Sequence, residues 1–181
     1  MRRVKLPQLN LQSLKTHGVD LEASYTFPLA SGELSLRALV NYQGQYETTT
    51  PGAPPVDRAG EVGQSQNPKW LGAFRATYSD GPLRLFVQQR YIDKGKYNVT
   101  FVEGVGINDN TIPAVWYTDA TVSWNLEDAG RDFEFFVTIN NLMDKDPPLA
   151  PQQSATLQRY TNTSLYDTIG RYFTAGIRFK M

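Results

Sequence analysis

Apolar and polar side chains alternate with period two through seven stretches of the chain. Near the end, Phe173, Ala175, Ile177, Phe179 and Met181 are apolar, while Tyr172, Thr174, Gly176, Arg178 and Lys180 are polar or small. Val19, Leu21, Ala23, Tyr25 and Phe27 alternate with Asp20, Glu22, Ser24 and Thr26. Leu34, Leu36, Ala38, Val40 and Tyr42 oppose Ser35, Arg37 and Asn41, with Leu39 as an exception. The same pattern covers Trp70 to Tyr78, Leu83 to Tyr91, Ala120 to Leu126 and Phe133 to Ile139. It predicts strands with one greasy and one wet face. Each run is about ten residues, the length a tilted strand needs to cross a bilayer.

The connections alternate too. Pro28 to Glu33, Ser79 to Pro82 and Glu127 to Asp132 are short and rich in Gly, Pro, Asp and Ser, which tight turns require. Glu47 to Lys69, Lys94 to Pro113 and Asn141 to Gly170 are long. Short turns on one side and long loops on the other are the habit of an outer-membrane barrel. If each apolar face continues across its short turn, Phe27 opposes Leu34, Tyr78 opposes Leu83 and Leu126 opposes Phe133. Further along, Tyr25 then faces Leu36, Phe74 faces Val87, and Trp124 faces Phe135. Aromatics gather at the strand ends as two candidate interfacial girdles. Tyr25, Phe27, Tyr78, Trp124, Phe133 and Phe179 lie toward the short turns; Tyr42, Trp70, Tyr91 and Trp116 lie toward the long loops.

Composition narrows the function. Eighteen Lys and Arg balance 18 Asp and Glu over 181 residues, so no basic excess points to nucleic acid. Cysteine is absent, which removes disulfides, thiolate nucleophiles and zinc-thiolate sites together. No apolar run approaches the roughly 18 residues of a transmembrane helix. Mean hydropathy of −0.43 resembles a soluble protein, but barrels escape hydropathy because every second strand residue is polar. A half-apolar strand at the chain terminus would recruit other chains in water, whereas barrel closure and lipid protect it. Met1-Arg2-Arg3 is followed by Lys5, Pro7, Gln8, Asn10 and Gln12 rather than an apolar signal core. An exported barrel is therefore expected to be a piece of a longer precursor.

Three ordered stretches resemble the C-terminal part of a TonB-dependent outer-membrane receptor: Asn10 to Phe27 with its Lys-Thr-x-Gly-Val-Asp-Leu-Glu run, Phe135 to Pro148 with Asn-Leu-x-Asp-Lys-x-Pro, and Tyr166 to Met181 with Tyr-Asp-x-x-Gly-Arg-x-Phe. The resemblance implies an all-β, antiparallel transmembrane barrel of about 22 strands with an N-terminal plug and a box that contacts TonB. About seven of those strands fall within residues 1–181, with an extracellular lead-in over residues 1–15. Plug and box are absent from the segment, so TonB is reached only through an N-terminal part. Thr174, Gly176, Phe179 and Met181 resemble the insertion signal read by the barrel-assembly machinery, although the family usually ends on an aromatic. The location implied is the cell outer membrane of a Gram-negative bacterium. The other implied partners are the lipid bilayer and a small solute such as an iron chelate or an oligosaccharide.

The polar face supplies the candidate site. Asp20, Glu22, Arg37, Arg75, Arg84, Arg90, Asp119, Glu134 and Arg178, with Lys180, are expected to face the lumen and touch solute or plug. The plainer alternative is a hydrated wall with diagonal ion pairs such as Glu22 with Arg37. His17, the only histidine, has no metal-binding company and reads as a solvated loop residue. Asp144-Lys145-Asp146 and Asn108-Asp109-Asn110 lack the EF-hand spacing and read as turns. Asn98 and Asn162 fit the glycosylation pattern, which means little in a bacterial protein. Tyr46, Tyr97, Phe101 and Tyr160 are loop aromatics placed to touch a ligand at the mouth. No cofactor site and no catalytic constellation is visible, so an enzyme is disfavoured. The leading expectation is a receptor fragment for active uptake of a siderophore, corrinoid or oligosaccharide. The alternatives are a small passive porin, which needs an eighth strand from Val4 to Leu14, and a soluble β-sandwich binding module.

Overall fold

The structure, a computed structural model, describes residues 12–128, 131–153 and 158–180. Among them there is no helix. Seven long strands form one antiparallel sheet: β1 (Ser13–Leu29), β2 (Gly32–Thr49), β3 (Trp70–Asp80), β4 (Leu83–Ile92), β5 (Val115–Asp128), β6 (Arg131–Asn140) and β7 (Tyr172–Lys180). Each pairs with the next in chain order, and a two-residue piece, Val56–Asp57, adds to β2. The sheet is open: β1 and β7 are its edges.

The predicted strands are all present, and several run further than alternation suggested. β1 starts at Ser13, six residues before Val19, and takes in the end of the expected lead-in; residues 1–11, with most of the proposed eighth strand, lie outside the described residues. β2 runs on through Thr49. A β-bulge between His17 and Gly18 interrupts the alternation there, and strand pairing continues beyond it. Gly18 is required at that point, since a Cβ would stand 2.2 Å from the Tyr42 carbonyl oxygen. His17 is therefore a strand residue, its Nδ1 3.1 Å from Gln45 Oε1, and not a loop residue.

Two hairpins keep the predicted register: Phe27 pairs with Leu34 and Tyr25 with Leu36, then Leu126 with Phe133 and Trp124 with Phe135. The middle hairpin is displaced by two. Tyr78 pairs with Leu85 rather than Leu83, and Phe74 with Gln89 rather than Val87. The expected four-residue link is in fact a two-residue turn, with Asp80 paired to Leu83. Gly81 takes φ of 52° and Pro82 holds a negative φ, the combination that closes a tight type II′ hairpin. Because the error is even, every side chain stays on its predicted face.

Among the described residues the apolar face has no second layer. Phe74 is 38% exposed, Val122 51%, Val137 49% and Ile177 62%. A β-sandwich would bury these between two sheets, so the soluble-module alternative is corrected by the fold. The buried cluster lies on the opposite side, at the long-loop end, where Val62, Ile92, Ile112, Val115, Tyr117, Ala150 and Tyr166 pack together.

Candidate functional site

Strand pairing turns the polar residues into linked pairs. Arg37 Nη2 lies 2.6 Å from Glu22 Oε1, the diagonal pair expected from sequence. Asn41 donates to Asp20 at 2.6 Å. Across β3, β4 and β5 the Arg75 Nε donates to Gln88 at 2.8 Å, and Gln88 Nε2 donates to Asp119 at 3.5 Å. Asp119 also pairs with Arg90 at 3.7 Å and accepts from the Asn141 backbone at 2.9 Å. Arg90 lies over the Tyr117 ring, 5.3 Å from its centroid. On β6 and β7, Arg178 pairs with Glu134 at 2.9 Å and stacks over Phe136 at 4.4 Å. Phe136 lies opposite Gly176, where a Cβ would come within 2.7 Å of the ring. Of the candidate charges, Asp20, Arg75 and Arg84 have no ion-pair partner among the described residues; Asp20 and Arg75 are held by the amides of Asn41 and Gln88, and Arg84 by no side chain among those residues.

The long loops are interlocked. Gly95–Lys96 pairs with Thr111–Ile112. Buried Glu61 accepts two bonds from Arg58, at 3.0 and 2.9 Å, one from the Val99 backbone at 3.0 Å, and one from the Ser65 hydroxyl. It thereby ties the first long loop to the second. Asn162 Nδ2 donates to the Val62 and Ser65 carbonyls at 3.0 and 2.9 Å, joining the third loop to the first. Asn98 bonds Gln64 and Thr100. Both glycosylation-pattern asparagines are thus buried ties within the cap. Alternation could not reveal this set; only the clustering of Asn and Gly in the loops hinted at built turns. Tyr97 packs against the buried cluster with its ring 6.1 Å from Phe101, whereas Tyr160 is exposed.

The sequence motifs acquire physical meanings. Asn141, at φ 50° and fully buried, receives the Lys145 N–H and donates to the Lys145 carbonyl, closing the bend after β6. Asp144 then accepts from the Arg171 backbone at 3.1 Å and pairs with its guanidinium at 3.4 Å. Gly170, at φ 80°, makes the approach feasible for the chain entering β7. Asp144 is therefore engaged by a cation, and Asp109 caps the Thr111 N–H at 2.8 Å. In the first loop, desolvation would raise the Asp57 carboxyl. The N–H groups of Tyr46 and Ala59, with Lys69 and His17 nearby, outweigh it and hold it below its ordinary value.

Between the polar face of the strands and Ser164-Leu165 of the third loop lies a cavity of about 710 Å³. Leu39, Leu71 and Ile92 form apolar lining; Asp20, Asn41 and Arg90 supply polar groups. Leu39, the exception to the alternation, thus belongs to this lining.

The aromatics stand as two bands on the outward face. Tyr42 and Trp70 have centroids 4.5 Å apart, Tyr91 and Trp116 4.6 Å, and Tyr25 and Phe27 5.6 Å. Trp124, between Leu83 and Phe135 in register, and Phe133, between Leu126 and Phe179, continue the short-turn band. Of the residues that resemble an insertion signal, Thr174, Gly176 and Phe179 are in β7, and Met181 lies outside the described residues.

A single meandering sheet with an unpartnered apolar face, a polar face laced by ion pairs, and all long loops at one end is the wall of an outer-membrane β-barrel. The model of the TonB dependent receptor-like β-barrel matches residues 5–142, and the chain belongs to that family. Its members are receptors and transporters of the outer membrane. No curated protein and no solved structure matches the chain.

Proposed function

We propose that this chain is the C-terminal part of a receptor barrel for energised uptake of a scarce solute such as a siderophore, corrinoid or oligosaccharide. The polar face lines the bore. Asp20, Glu22, Arg37, Arg75, Arg90, Asp119, Glu134 and Arg178 form its hydrated wall, tied by ion pairs or hydrogen bonds, and Arg84, with neither among the described residues, is the charge most available to a plug or solute. The observation that carries the reading is the set of interlocked loops packed over one end of that wall, with an open cavity between them and the strands. A passive porin needs an open bore, whereas a receptor needs ordered loops that hold solute at the mouth.

Uptake of radiolabelled ferric siderophore, cobalamin and maltooligosaccharide in cells with and without the gene tests this. Saturable, gene-dependent accumulation of one class, abolished by collapsing the proton-motive force, is expected. Entry that is non-saturable and indifferent to the protonophore would identify a porin instead.

A further inference from the structure

Arg37 on β2 and Arg75 on β3 are directly opposite in register, which sets two guanidinium groups side by side on the polar face. Like charges so placed repel. Among the described residues Glu22, paired with Arg37, is the one carboxylate bonded to either; Arg75 meets only the neutral amide of Gln88. That amide takes the Nε of Arg75 and leaves both terminal Nη groups without a partner among those residues. One row toward the short turns, Ser35 and Thr77 are likewise opposite each other. Ser35 Oγ accepts from Thr26 at 2.9 Å and keeps its own O–H to give. The Thr77 hydroxyl has no hydrogen bond among the described residues. The four side chains thus mark a patch about 5 by 7 Å whose uncommitted groups can all donate.

The missing counter-charge cannot come from within the wall. β2 and β3 are each flanked on both sides by strands of the same sheet, so every in-wall neighbour of the pair is already in place. An anion reaches it only from the bore, and the inference rests on the reading that the polar face lines that bore. We infer that Arg37, Arg75, Ser35 and Thr77 form a carboxylate site, the anion bridging the two guanidiniums and accepting from the hydroxyls. Guanidinium forks match carboxylate geometry. The carboxylate comes either from another part of the receptor seated in the bore or from an acidic solute.

The test is thermal melting of the complete receptor, made in cells and extracted from the outer membrane in mild detergent. Arg75→Gln removes the charge and keeps a donor for Gln88. With a carboxylate in place the variant should melt about 2 °C or more below the parent; in an empty site it relieves a repulsion and should melt at the same temperature or higher. The difference is read in chloride and in citrate of equal ionic strength, so that screening is matched. A deficit in both salts assigns the carboxylate to the receptor, and a deficit in citrate alone assigns it to a solute; either supports the site. No deficit in either salt overturns the proposal, as does a deficit that fails to shrink in about 1 M chloride, which marks lost packing rather than a lost ion pair. If Arg75→Gln fails to reach the membrane, Thr77→Val decides, because only an anion in the site makes loss of that hydroxyl costly. A nitroxide on Val122→Cys, read on the same receptor, separates the two levels. With the label met by oxygen and not by an aqueous nickel chelate, a missing deficit sinks this site alone; with the label met by the chelate, the reading of the faces fails as well.

Discussion

All three tryptophans of the chain project from the outward face, and their heights can be worked out from strand geometry. Trp116 and Trp124 are eight residues apart on β5, which at about 3.3 Å per residue is roughly 26 Å along the strand. Tilted by about 35–45°, as barrel strands are, that becomes a height difference of roughly 19–22 Å. The apolar band of such a barrel is about 25 Å tall. The two indoles therefore stand near its opposite rims, each about 10 Å from the midplane. Single-tryptophan variants, made by replacing the other two with Phe, are reconstituted in bilayers whose lipids carry bromine at a chosen acyl carbon. Bromine about 10 Å from the centre should quench both Trp116 and Trp124 more strongly than bromine at the chain ends. As a control, Phe136→Trp places the only indole on the polar face, where it should escape lipid quencher and meet aqueous acrylamide. Strongest quenching of Trp116 and Trp124 from the bilayer centre, or equal lipid quenching of the Phe136→Trp variant, would refute the orientation.

Glu61→Ala strips the hub from the loops and should destabilise the cap by about 2–4 kcal/mol, less than a fully buried pair because Arg58 keeps some water contact. Hydrogen exchange should show faster exchange at Val99 and the loop pairing around Lys96, with the strands protected; unchanged loop exchange would count against the interlock. Burial, with Tyr117 adding to it, holds the Tyr166 phenol above its ordinary value. The folded cap favours the proton, so this stabilisation is complete below about pH 10 and is lost as pH rises above it. Proteolysis of the third loop should accelerate in that alkaline range, and less so in Tyr166→Phe. The Tyr166 hydroxyl has no hydrogen-bond partner among the described residues, so at neutral pH the same variant should be neutral or more stable by up to about 1 kcal/mol. Gly176→Ala drives a Cβ into the Phe136 ring and should cost about 1–3 kcal/mol. Rescue of heat-resistant gel mobility by adding Phe136→Leu would assign the glycine to packing, whereas no rescue would point to the insertion signal.

Faces were more legible in the sequence than registers or loops. Period-two alternation is a property of each strand alone, so Val19 to Phe27 and Phe133 to Ile139 declared their outward sides without a partner. Register depends on turn length, and Ser79-Asp80-Gly81-Pro82 read as a link because all four residues favour turns. The structure needs only Gly81 and Pro82 to reverse, and Ser79 and Asp80 are left to pair. β1 was cut short because the bulge at Gly18 breaks the period that defined it. The cap was invisible for a different reason. Glu61, Asn110 and Asn162 are buried polar residues satisfied by backbone groups far along the chain, and no local pattern announces such partners. Ile92, Val115 and Tyr117 stand on the polar side because those loops cover them, which reverses the rule that held along the rest of their strands.

Strand direction limits how the sheet can close. In a meander of seven antiparallel strands, β1 and β7 run the same way. Joining their edges directly would make a parallel pair, which the short and long links of this architecture never produce. A second copy in the same membrane orientation gives no relief, since its β1 and β7 also run in that direction. An odd number of further strands is needed between the edges to complete an antiparallel cylinder, and single-chain outer-membrane barrels have even totals. The same parity leaves the polar network unfinished: Arg178 with Glu134 at one edge and Asp20 with Asn41 at the other are the outermost links of a wall whose continuing strands must supply the next ones. The open sheet is thus a sector of a wider barrel, as membership of the receptor family requires, and a seven-stranded pore is excluded by geometry.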